Sequence, residues 1–106
     1  MAQSKIDPVP GVFRVTNKTT GRTYVGFARN LQRRIWDLKD NARHGRGAQK
    51  LLREDFQRYG VDDFEFVVLE SNVPIEKLSE LREYYAEKYG AYKTGYNHSK
   101  GHSYGV

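Results

Sequence analysis

Gly11-Val12-Phe13-Arg14-Val15-Thr16, Asn17-Lys18-Thr19-Thr20-Gly21 and Arg22-Thr23-Tyr24-Val25-Gly26-Phe27 decide the fold of this 106-residue chain. The first six residues alternate apolar with small or polar types and include β-branched residues, which reads as a strand. The next five form a turn cluster, closed by a glycine. The last six repeat the alternation and read as the return strand of a hairpin. Upstream, Pro8 and Pro10 disfavour both helix and inner strand, so residues 1–10 read as an arm.

Downstream the period changes. Asn30 is a good N-cap for a helix over Leu31–His44. Gly45 and Gly47 interrupt it, and Ala48–Tyr59 reads as a second helix stopped by Gly60. Phe64–Leu69 reads as a third strand, with Phe64, Phe66, Val67 and Val68 as core. Pro74 suits the first turn of a third helix over Ile75–Tyr89, ended by Gly90. From Ala91 onward no period is visible, and residues 98–106 read as a flexible tail. His98 and His102 have a metal-ligand spacing only on a helix, which Gly101 and Gly105 oppose. The order ββααβα implies an α+β fold: a small three-stranded antiparallel sheet flanked by three helices, with the domain over residues 11–97.

Composition narrows the function. Without cysteine there is no disulfide framework and no thiolate metal site. The longest apolar run, Phe66–Leu69, falls far short of the ~20 residues that span a bilayer. The first ten residues lack the apolar stretch of a signal peptide. These features imply an intracellular, cytoplasmic protein with no membrane partner. The net charge of +5 is uneven: residues 1–58 carry +8 and residues 59–106 carry −3. A basic half of this kind attracts a phosphate backbone. Arg29, Arg33, Lys39, Arg43, Arg46, Lys50 and Arg53 crowd into the two middle helices and their joint, and are the expected nucleic-acid face. Trp36 is expected at the edge of the core, with base stacking as its alternative. At ~100° per residue, Leu31, Ile35, Leu38 and Ala42 form one apolar stripe. Arg34 flanks that stripe and can overlook the hairpin, whereas Arg33 lies nearly opposite.

The hairpin with Gly11-Val12-Phe13 and Tyr24-Val25-Gly26, the helix-borne Arg34 and the closing Gly95-Tyr96-Asn97 together resemble the GIY-YIG nuclease family. The resemblance covers Gly11 to Asn97. It implies a metal-dependent endonuclease that hydrolyses phosphodiester bonds in DNA, with Mg²⁺ or Mn²⁺ as cofactor. RNA and branched DNA are further candidate partners. By position Tyr24, Arg34 and Asn97 match family site residues, and Glu83 is the candidate catalytic carboxylate and metal ligand. No base-reading module is visible, so little intrinsic sequence specificity is expected.

The chain departs from the family pattern in three places. Phe13 stands where the first half-motif ends in tyrosine. Leu38 stands where many relatives carry His or Tyr. In Leu81-Arg82-Glu83-Tyr84-Tyr85-Ala86, one alignment makes Glu83 the ligand. The other puts Arg82 in the glutamate's place, and arginine does not bind Mg²⁺. The helical wheel favours the second, because Arg82 shares a face with Ile75, Leu78, Tyr85 and Tyr89 while Glu83 lies off it. The alternative function is therefore a catalytically degenerate domain of the same fold, binding nucleic acid or a protein partner without cleavage.

Overall fold

A computed structural model describes residues 8–47 and 49–97. The arm over residues 1–7, the tail over 98–106 and its two histidines lie outside the described residues. The chain runs β1 (Gly11–Asn17), β2 (Thr23–Ala28), α1 (Leu31–Arg43), α2 (Lys50–Tyr59), β3 (Phe64–Ser71) and α3 (Leu78–Lys88). The three strands form one antiparallel sheet in the order β2-β1-β3. No helix among the described residues is long and apolar enough to cross a membrane.

β1 is the central strand, so alternation places its residues on two covered faces. Phe13 and Val15 join Leu31, Leu38, Leu52, Phe56, Phe64 and Tyr96 in a core under α1 and α2. Val12 joins Val25, Val73, Leu78, Ala86 and Ala91 in a second core under α3. Each helix thus buries one stripe against an apolar sheet face, the arrangement that the periodicities predict.

The differences from expectation have local causes. α1 ends at Arg43 because His44 is its C-cap. α2 begins at Lys50, where the Gln49 side chain accepts the Leu52 amide at 3.0 Å. The Ile75–Lys77 stretch is a 3-10 turn, closed by the Lys77 amide on the Pro74 carbonyl at 2.8 Å, and only then does α3 start. On the edge strand β3, Val67 is half-buried and Val68 is 46% exposed, both outside the two cores, so their assignment to the core is corrected. Tyr96, in the stretch after Ala91 that shows no period, is fully buried.

Candidate active site

Strand pleating puts Tyr24 and Gly26 on the face of β2 that looks toward α1 and α2, opposite Val15 and Phe13. Tyr24 is half-buried, and its ring centroid lies 6.2 Å from that of Phe13. Its phenol folds back over Gly26. A Cβ on Gly26 would stand 2.9 Å from the Phe13 Cζ and 3.1 Å from the Tyr24 hydroxyl. Any side chain there would displace the phenol, so glycine is required by close approach. Phe13 meets the same spot with a bare ring edge, so this contact is apolar.

Arg34 lies in the first turn of α1, which Asn30 caps by accepting the Arg33 amide at 3.1 Å. Arg34 is half-buried and makes no ion pair among the described residues. Arg33 points outward and is held by Asp37 at 3.3 Å. Of the two, only Arg34 combines partial burial with an uncommitted charge. Leu38 is fully buried in the core.

Asn97 spends its side chain on β2. Its Oδ1 accepts the Val25 amide at 2.8 Å and its Nδ2 donates to the Val25 carbonyl at 2.9 Å. The Tyr96 amide bonds the Thr23 carbonyl at 3.0 Å. Residues 96–97 therefore occupy the outer edge of β2 as an added strand would. Gly95 lets this happen, since a Cβ there would run into the Thr23 carbonyl. Tyr96 is anchored in turn: its hydroxyl donates to Asp55 at 2.7 Å and accepts from Asn17 at 3.2 Å. Arg22 reaches the same Asp55 oxygen at 3.5 Å.

Burial, and then the bond to Asp55, push the Tyr96 phenol up to about 12, against an opposing bond from Asn17. The bond to Glu70, with burial, pushes Tyr85 up to about 12 as well. Both hold their proton more tightly folded than unfolded. Their stabilisation is complete below pH ~10 and is lost as pH rises toward ~12. We expect Tm to fall across that window and Tyr85→Phe to reduce the fall, as read from thermal melts at pH 9 to 12. An unchanged pH profile in Tyr85→Phe would contradict this.

On α3, Arg82 and Glu83 are both half-buried. The Arg82 guanidinium lies 5.4 Å from the Phe27 ring centroid, so Arg82 is turned toward the end of β2. Glu83 is not a solvent-facing residue, as the helical wheel had implied. Its Oε2 accepts the Tyr92 hydroxyl at 2.9 Å and faces Arg82 Nη2 at 3.5 Å. Tyr92 follows the helix, so the wheel carried no sign of it. Glu80 is exposed. No hydrogen bond or ion pair among the described residues joins Glu83 to Tyr24 or Arg34. Phe27 faces α3 while Tyr24 faces α1, so the two groups flank β2 from opposite sides.

Among the described residues, no three His, Asp or Glu side chains gather to hold a metal. Glu83 Oε1, however, is buried and has no hydrogen-bond partner. An anionic oxygen without a donor fits a cation, and Mg²⁺ is commonly bound by one or two carboxylates with water completing its shell. Arg82 beside it opposes a second cation.

The expected nucleic-acid face is open in the structure. Arg29, Arg43 and Lys50 are exposed. Arg33 and Arg46 are exposed but face Asp37 and Asp40. Arg53 donates to the Gly47 carbonyl at 3.4 Å, and Lys39 Nζ lies 4.9 Å from the Phe66 ring centroid. Lys39 and Arg43 border a crevice of about 200 Å³ with Asp62 and Phe66.

The three-stranded antiparallel sheet thus lies between α3 and the α1–α2 pair, with Tyr24 on the hairpin and Arg34 on α1. The family model of the GIY-YIG catalytic domain matches residues 9–97, and the chain belongs to that family. The catalytic domain of homing endonuclease I-TevI is similar in structure, with a TM-score of 0.77 and 20% identity over 86% of this chain and 99% of that one. A second structure, the catalytic domain of intron endonuclease I-TevI with one glutamate replaced by alanine, gives a TM-score of 0.74 and 24% identity, covering 84% of this chain and 92% of that one. At these identities the likeness establishes the fold. The curated proteins include no significant match.

Proposed function

We propose that this domain hydrolyses phosphodiester bonds in DNA, with a divalent cation and little sequence preference, inside the cell. The observation that carries the reading is Arg34: half-buried, without a carboxylate partner among the described residues, and on the helix packed against the strand that bears Tyr24. A guanidinium fork binds non-bridging phosphate oxygens and offsets the charge that grows on them as water attacks. Tyr24, as its phenolate, accepts the proton of that water. Asn97 positions this chemistry by fixing Val25, between Tyr24 and Gly26. Across β2 from Tyr24 and Arg34, Glu83 is the residue that would hold Mg²⁺ or Mn²⁺, through its unpartnered Oε1; when bound, the ion would neutralise phosphate charge as a Lewis acid.

Arg34→Ala is expected to lower cleavage by roughly 10²–10³-fold, the cost of one lost charge-stabilising donor. Tyr24→Phe should lower it by roughly 10²-fold or more. Nicking of a supercoiled plasmid in Mg²⁺ or Mn²⁺, against EDTA, measures both. Full activity in either variant removes that residue from the reaction.

A second reading is favoured by Arg82, which lies over Phe27 of β2 and pairs with the candidate ligand. In it the domain binds nucleic acid without cutting. Binding to duplex, branched and single-stranded DNA or RNA, with cleavage of none, would select it.

A further inference from the structure

Trp36 is 60% exposed, at the middle of α1. The expectation that it packs at the core edge is therefore corrected. It lies next to Ile35 on the helix, about 100° from the apolar stripe, and that rotation carries the indole to the outer face. Tryptophan is highly buried on average, so an indole left largely in water needs a reason. No ring contact, hydrogen bond or ion pair holds it among the described residues.

The surroundings of Trp36 select its partner. On α1, Arg33, Lys39 and Arg43 lie three before, three after and seven after it, on one helical face, and Arg29 stands just before the helix's N-cap. Residues 29–46 carry six Lys/Arg against two Asp. Asp37 and Asp40 are both drawn to cations, Arg33 and Arg46. Arg29, Lys39 and Arg43 make no ion pair among the described residues. An aromatic ring centred in a positive track is the arrangement that binds single strands: cations follow the backbone while bases stack on the ring. A protein partner of ordinary hydrophobic type fits less well, because a ring of cations would be desolvated with it.

We propose that the outer face of α1 is a base-stacking platform and that the chain's preferred nucleic acid carries unpaired bases. In a regular duplex each base face is covered by its neighbours, so Trp36 has nothing to stack on. The proposal rests on the reading that this domain binds nucleic acid, and it adds the strand state of that nucleic acid.

Trp36 is the chain's one tryptophan, so its fluorescence reports the platform alone. The test titrates the protein in EDTA with oligothymidylate and with a duplex of equal charge. Quenching by the single strand and not by the duplex is expected. Trp36→Ala, followed by anisotropy of labelled DNA, should weaken single-strand binding roughly tenfold. It should leave duplex binding and the salt slope unchanged, and Trp36→Phe should restore part of the loss. Arg43→Ala should instead shift the single-strand salt slope by about 0.7. Equal quenching by both probes, or none with the single strand, overturns the platform while leaving nucleic-acid binding intact. A blue shift that grows with protein concentration alone overturns it in favour of a second copy covering Trp36. Binding to neither probe overturns both this inference and the proposed function.

Discussion

Asn97→Ala is expected to destabilise the domain by about 2–4 kcal/mol, a large share of what a chain of this size possesses. The side-chain amide holds both the donor and the acceptor of Val25, at 2.8 and 2.9 Å. β2 is an edge strand, so no further strand replaces the lost partner. Each backbone group left without a bond while part-buried costs about 1–3 kcal/mol, and water recovers a fraction of it. Since about 1 kcal/mol moves the midpoint of a small domain by 4–8 °C, Tm should fall by about 10–20 °C. Asn97→Asp keeps the shape and the acceptor but turns a second oxygen toward the Val25 carbonyl, so it should also destabilise. Thermal denaturation followed by circular dichroism tests both variants. A fall of only 1–2 °C in Asn97→Ala would show that water satisfies Val25 equally well.

The parts of this fold that follow a short period were readable in the chain. The hairpin announced itself because Val12, Phe13 and Val15 supply both faces of a central strand, with a polar turn between the strands. α1 was readable because Leu31, Ile35, Leu38 and Ala42 recur at helical spacing. Tyr96 was not, because its neighbours Gly95 and Asn97 set no period, and its burial depends on Asp55 and Asn17 from distant elements. Trp36 was misplaced for a related reason. Hydrophobicity argued for the interior, helical rotation argued for the surface, and rotation decided. For Glu83 the wheel captured only its own helix. The bond that draws it inward comes from Tyr92, beyond the helix end. In each case the missed information lies in a long-range polar contact or in the absence of one.

That same contact makes Glu83 and Arg82 respond in opposite directions. Glu83→Gln removes the anionic charge while keeping the shape and the bond from Tyr92. On the proposed function it should abolish measurable Mn²⁺ binding and lower cleavage by about 10³-fold, since carboxylate oxygens are what hard cations require. Arg82→Gln removes a positive charge whose Nη2 lies 3.5 Å from Glu83 Oε2. Two unit charges 4 Å apart interact by about 1 kcal/mol in water and about 4 kcal/mol near a protein surface. Both side chains are near one-third exposed, which places the effect toward the lower figure. Arg82→Gln should therefore tighten Mn²⁺ binding by roughly tenfold and lower the metal concentration needed for cleavage. Calorimetric titration with Mn²⁺ reads the first effect directly, without reference to activity. The opposite pattern, with Glu83→Gln silent and Arg82→Gln weakening DNA binding in EDTA, assigns the pair to phosphate capture. The acidic half of the chain would then present a cation to the substrate from Arg82, over Phe27 of β2, and the domain would bind without a metal ligand.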